Sequence, residues 1–164
     1  MLESVLAACR RQVREELLLD ALEAREAGVL ERAYLRLSPA ALRCEAWLIR
    51  WPPGSVAPLH DHGLAHGLAQ VVTGTLHELQ FAPRVKVARQ RDWKPGAEIE
   101  LPRGTYHEVR NRCARVAYSI HVYAPRLEHM TFYDRGAGGE LRPVRQERER
   151  EWQREWQPRT TVFE

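Results

Sequence analysis

The sequence predicts a mostly β protein, a sandwich or barrel of sheets, entered through helices. Two observations carry that expectation. From Glu45 onward the apolar runs are short, punctuated by Pro and Gly, and recur at roughly eight to twelve residues, which is the texture of many short strands. Residues 2 to 27 read differently: Leu2, Val5, Leu6, Cys9, Val13, Leu17, Leu18 and Leu22 recur at helical spacing with charge between them. This is an amphipathic helix, or two helices broken near Leu19-Asp20, stopping at Gly28 and serving to pack.

Taken in order, the strands expected are Glu45 to Trp51, Ala69 to Thr73, Leu76 to Phe81, Val85 to Val87, Glu98 to Leu101, Val116 to Tyr123 and Met130 to Tyr133. The run from Arg145 to Arg159, with Trp152 and Trp156 among alternating charges, reads as a solvated helix or frayed extension. With 164 residues, 44% of them apolar, the chain can bury a core of its own, so a single domain is expected. It divides into a helical segment at 1–30, a barrel at 31–135 and an extension at 136–164.

The 25 basic and 22 acidic residues nearly cancel, so the charge gives no ground for nucleic-acid binding. No apolar run reaches the eighteen residues or so of a membrane span and no leader pattern opens the chain, so a cytoplasmic protein without membrane attachment is expected. Cys9, Cys44 and Cys113 are isolated and odd in number, which suggests reduced, mostly buried thiols.

The chemistry centres on His60-Asp61-His62. Two histidines one residue apart share a face of a strand and can share a ligand. A catalytic metal usually takes three protein ligands, and His107 is the best third. His77 and His129 read as ordinary satisfied histidines. Gly54, His60, His62 and Gly74 match the spacing of the first cupin motif, and Gly96, Pro102, Gly104, His107 and Asn111 match the second. Many cupins place a glutamate four or five residues after the second histidine; here His66 and Gly67 stand there. Three neutral imidazoles leave a metal its full charge and room for an anionic chelating substrate, without selecting among zinc, copper, nickel and iron. An acidic fourth ligand from elsewhere would point to another cupin enzyme, such as an isomerase or a carbon-cleaving dioxygenase. Glu78 and Glu108 are the nearest candidates, though Glu108 should point away from the site. A cupin that senses or stores a small ligand is the non-enzymatic alternative.

Together with Gly74-Thr75-Leu76, His107-Glu108-Val109-x-Asn111 and Ser119-Ile120-His121-Val122-Tyr123-Ala124-Pro125, the His60-Asp61-His62 motif resembles cysteine dioxygenase and its bacterial thiol dioxygenase relatives over about residues 30 to 135. The resemblance implies an all-β cupin barrel, a double-stranded β-helix of jelly-roll type, with N-terminal α-helices. It implies non-haem Fe(II) held by His60, His62 and His107. The implied partners are a small thiol and O2, and the implied reaction places both oxygen atoms on sulfur.

Ser119, His121 and Tyr123 alternate along one expected strand, so they face one side and can form a hydrogen-bonded row. The family resemblance turns that row into a relay in which serine orients histidine, histidine holds tyrosine, and the tyrosine hydroxyl reaches the substrate. Gly67 stands where the animal enzymes carry a cysteine cross-linked to the tyrosine, so Tyr123 should be a free phenol. Arg36 matches the family's arginine for the carboxylate of cysteine, with Tyr34 assisting. The expected substrate is therefore L-cysteine, with 3-mercaptopropionate and mercaptosuccinate as alternatives. His66 is expected at most to line the pocket.

Overall fold

The computed structural model describes residues 1–13, 32–37, 44–82 and 85–148. Residues 2–13 form helix α1. Among the described residues eleven strands follow: β1 (Ala33–Leu37), β2 (Glu45–Trp51), β3 (Val56–His60), β4 (His66–Thr73), β5 (Leu76–Ala82), β6 (Val85–Trp93), β7 (Glu98–Leu101), β8 (Tyr106–Arg110), β9 (Ala117–Ala124), β10 (His129–Arg135) and β11 (Leu141–Arg148). One sheet has the order β1-β2-β9-β4-β7 and the other β11-β10-β3-β8-β5-β6. Every pairing is antiparallel, and between them the sheets form the barrel of jelly-roll type that the sequence predicts.

Strands β2 and β9 explain where the site sits. Both are almost wholly buried, against the usual rule that an antiparallel strand alternates core with solvent. One face of each looks into the barrel through Trp47, Ile49 and Trp51 on β2 and Tyr123 on β9, and joins the larger apolar cluster. The other face carries Ala46, Leu48, Tyr118, Ile120 and Val122, and helix α1 lies over it with Leu2, Val5, Leu6, Cys9 and Val13. That i, i+3, i+4, i+7 spacing gives the helix one apolar stripe and leaves its charges outside. Leu6 is fully enclosed, a burial worth about 1.5–3 kcal/mol. Cys9 and Cys44 are buried and free, while Cys113 is partly exposed.

Four strands go beyond the expected set: β1, β3, β8 and β11. Pro58 disguises β3, whose pairing with β8 is interrupted between Ala57 and His60. The expected helix or frayed tail is corrected at residues 145–148, which lie in β11 with Arg145 opposite Phe132 and Glu147 opposite Met130. Backbone pairing at an exposed sheet edge, where most side chains face water, holds that strand. The expected helical break near Leu19-Asp20, the stop at Gly28 and residues 149–159 of the tail lie outside the described residues. No helix among the described residues is long and apolar enough to cross a membrane.

Candidate metal centre

His60 ends β3 and His107 lies on β8, directly opposite in the register. His62 is not on the same strand as His60, as the alternation suggests, but two residues beyond its end. A tight turn returns it to the site: Ala65 N–H donates to the His62 carbonyl at 3.0 Å. Gly63 in that turn has φ +56°, and a side chain there would meet the His129 ring at 2.9 Å. Asp61 faces away and fastens the turn. Its carboxylate accepts the Gly63 N–H at 3.0 Å and the Tyr133 hydroxyl at 2.7 Å.

One ring nitrogen from each of His60, His62 and His107 lies within 4.8 Å of the others. All three side chains are buried, at 5%, 5% and 1% exposure. His60 Nδ1–H donates to the Pro58 carbonyl at 2.6 Å and His107 Nδ1–H to Glu78 Oε1 at 2.7 Å. Each bond fixes the tautomer and turns a lone-pair-bearing Nε2 toward the cluster. The buried Nε2 of His107 has no hydrogen-bond partner among the described residues. An orphaned nitrogen in that position is what a metal ion would satisfy, so the residues present fit one. Burial lowers the His60 and His62 pKa values, and the neighbouring imidazoles push the same way, so both rings are neutral and able to ligate a metal.

The serine row is formed as expected. Ser119 Oγ lies 2.9 Å from His121 Nε2, and His121 Nδ1 lies 3.1 Å from the Tyr123 hydroxyl. It starts one residue earlier than expected, because the Trp51 indole N–H donates to Ser119 Oγ at 2.8 Å. Indole can only donate, so Ser119 accepts there and keeps its own O–H, which can donate to His121 Nε2. In that tautomer His121 donates from Nδ1 to the Tyr123 oxygen, and the Tyr123 O–H is left to point into the cavity. Burial pushes His121 down to about 3, His107 adding to the effect and Glu78 opposing it. Burial raises the Tyr123 phenol well above its ordinary value, the charges of Glu45 and Tyr34 adding, so it keeps its proton. Gly67 lies opposite Tyr123, and a Cβ on it would sit 2.9 Å from the tyrosine ring. Gly67→Ala should therefore push the ring or the strand aside and cost about 1–3 kcal/mol, measurable as a lowered thermal unfolding midpoint.

The cavity in front of the histidines is bounded mainly by aromatic and aliphatic side chains. Tyr34 lines it, but Arg36 does not. Arg36 shares the Tyr34 face of β1, with its side chain 47% exposed, and lies against the Trp47 ring and 3.7 Å from the Glu45 carboxylate. The guanidinium that lines the cavity is that of Arg32. It stands 5.4 Å from the Trp51 ring and 5.7 Å from the Tyr34 ring, with no carboxylate partner among the described residues. Period-two alternation from Tyr34 was the available signal for it. His66 is exposed and away from this cavity, in correction of the pocket role allowed for it. His77 is satisfied only in part, since its Nδ1 lies 2.8 Å from Asp92 while its buried Nε2 has no hydrogen-bond partner among the described residues.

Neither acidic candidate is a fourth ligand. Glu108 points outward to Arg110. Glu78 is fully buried behind His107 and accepts from Arg91 Nε and, at 3.0 Å, Trp93 Nε1. Burial pushes its carboxyl up, but the hydrogen bonds and charges of His107 and Arg91 prevail and hold it at about 2.

These histidines make the metal-free protein sensitive to mild acid. His121 binds its proton only near 3 when folded, and His60 and His62 are also lowered from 6.5, so below pH 6.5 the unfolded chain binds more protons. Stability is full above that value and falls by up to about 1.4 kcal/mol per histidine per pH unit below it. Chelator-treated protein should accordingly melt at a clearly lower temperature at pH 5.5 than at pH 7.5.

Comparison with known proteins agrees with the geometry. The family profile described as cysteine dioxygenase type I, a family of the cupin superfamily, matches residues 29–136. A protein of Thermus thermophilus superposes with TM-score 0.51 at 23% identity, over 58% of this chain and 85% of its own. A sugar phosphate isomerase from a cupin superfamily of Silicibacter pomeroyi gives 0.52 at 24%, over 70% and 76%. An oxalate oxidase gives 0.55 at 21%, over 63% of this chain and 55% of its own. At these identities the three establish the cupin fold and nothing finer.

Proposed function

Because the chain belongs to the cysteine dioxygenase type I family, we propose that it is a non-haem Fe(II) thiol dioxygenase, converting a small thiol carboxylate and O2 to the corresponding sulfinic acid. The observation that carries the reading is the convergence of three imidazoles, one phenol and one arginine on a single apolar cavity. His60, His62 and His107 hold the metal. When bound, Fe(II) supplies a template at which thiolate and dioxygen meet and through which electrons pass from sulfur to oxygen. The chain's own groups do the rest. Arg32 pairs with the substrate carboxylate and fixes its orientation, because a guanidinium offers two parallel donors. Tyr123, held by His121 and Ser119, donates its proton toward charge developing on oxygen. The aromatic walls exclude water and strengthen both interactions.

L-cysteine is the first substrate to test, and the location is the cytoplasm. Among the described residues the cavity lining has no carboxylate to meet an ammonium group, which favours 3-mercaptopropionate as the second reading. Mercaptosuccinate would need a further cation, and Arg36 lies on the same face of β1 as Tyr34. Iron-loaded protein offered the three thiols in parallel should consume O2 and yield sulfinate in equal amounts from at least one. Failure of all three with Fe(II) bound would sink the dioxygenase reading and leave a binding protein or another cupin enzyme.

A further inference from the structure

We infer that Glu78 is a positioning residue of the metal site, holding His107 in place and adding a negative charge to it from behind. The inference rests on reading His60, His62 and His107 as metal ligands. A fully buried carboxylate is costly to desolvate, and the Glu78–Arg91 pair replaced together by hydrophobic side chains of similar volume would serve the fold as well or better. Glu78 nevertheless stands on β5 next to β8, with Oε1 at 2.7 Å from His107 Nδ1. Arg91 and Trp93, both on β6, donate to its other oxygen, so the carboxylate cannot turn away.

The three histidines are therefore backed unequally. His60 leans on a neutral carbonyl, His107 on a carboxylate, and His62 on no hydrogen bond among the described residues. The glutamate that many cupins place directly on the metal is missing from the first motif, and this chain restores its charge at one remove, through an imidazole. A hydrogen-bonded carboxylate makes that imidazole the stronger donor and holds its ring plane.

Glu78→Gln keeps the volume and removes the charge. With Co(II) as the probe, competition against a chromogenic chelator should show 10–100-fold weaker binding, roughly the cost of losing such a partner, with a shifted visible Co(II) absorption. Binding within about twofold of the parent with an unchanged spectrum would overturn the inference, as would a lowered melting temperature with both unchanged. If Glu78→Gln does not fold, Arg91→Leu at the half-buried sheet edge decides. Co(II) binding at least about threefold weaker with an altered spectrum supports the role, and parental values refute it. A parent protein that takes up no Co(II) would instead overturn the metal reading itself, and the inference with it.

Discussion

His107→Ala protein should retain its fold yet lose metal, with Fe(II) affinity down by well over about 100-fold, since removing a ligand exceeds the 10–100-fold cost of removing a ligand's partner. Sulfinate formation should fall to background with it. His107 is the most informative of the three because it is 1% exposed and, among the described residues, its Nε2 has no hydrogen-bond partner that the substitution would also remove. His77→Ala is the matched control. That histidine bonds Asp92 away from the cavity and should leave both metal content and turnover within about twofold of the parent. Iron retained at parental affinity after His107→Ala would remove the ligand from the centre of the mechanism.

Arg32→Met should raise KM for thiol carboxylates by about 10–150-fold, the equivalent of a lost hydrogen-bonded charge pair of about 1.5–3 kcal/mol. Arg36→Met should change it by about threefold or less, because its guanidinium is 47% exposed and already lies 3.7 Å from Glu45. A thiol lacking the carboxylate, such as cysteamine, should not distinguish Arg32→Met from the parent. The reverse ranking of the two arginines would return the carboxylate to Arg36.

The contrast between these arginines shows where the sequence stops speaking. Arg32, Tyr34 and Arg36 share one strand face by alternation, and which guanidinium reaches the cavity depends on how β1 registers against β2, with Tyr34 opposite Ile49. No local pattern encodes that offset across the intervening loop. The serine row was legible because its spacing is itself the geometry, whereas His62 reaches the site through a turn beyond β3 and not by the strand alternation that pointed to it. The strands bearing His60 and His107 were less legible, since Pro58 interrupts one and charges flank the other. Glu78 left a signal that was open to a different reading. It shares the inward positions of β5 with Leu76, and a charge on a core face implies a buried partner. Only pairing with β8 identifies that partner as His107. Strand β11 gave no signal, being polar on both faces.

Strands β2 and β9 serve two interiors at once. Along β9, Ser119, His121 and Tyr123 alternate with Tyr118, Ile120 and Val122, and the second set supports helix α1. The helix touches none of the residues proposed to act, yet its packing fixes how far the wall behind them can bow. A larger side chain at Leu6 that leaves overall stability nearly intact would still shift the aim of the Tyr123 hydroxyl. Tolerance to change in the first thirteen residues is thus set by catalysis as much as by folding, and turnover will register such changes before melting does.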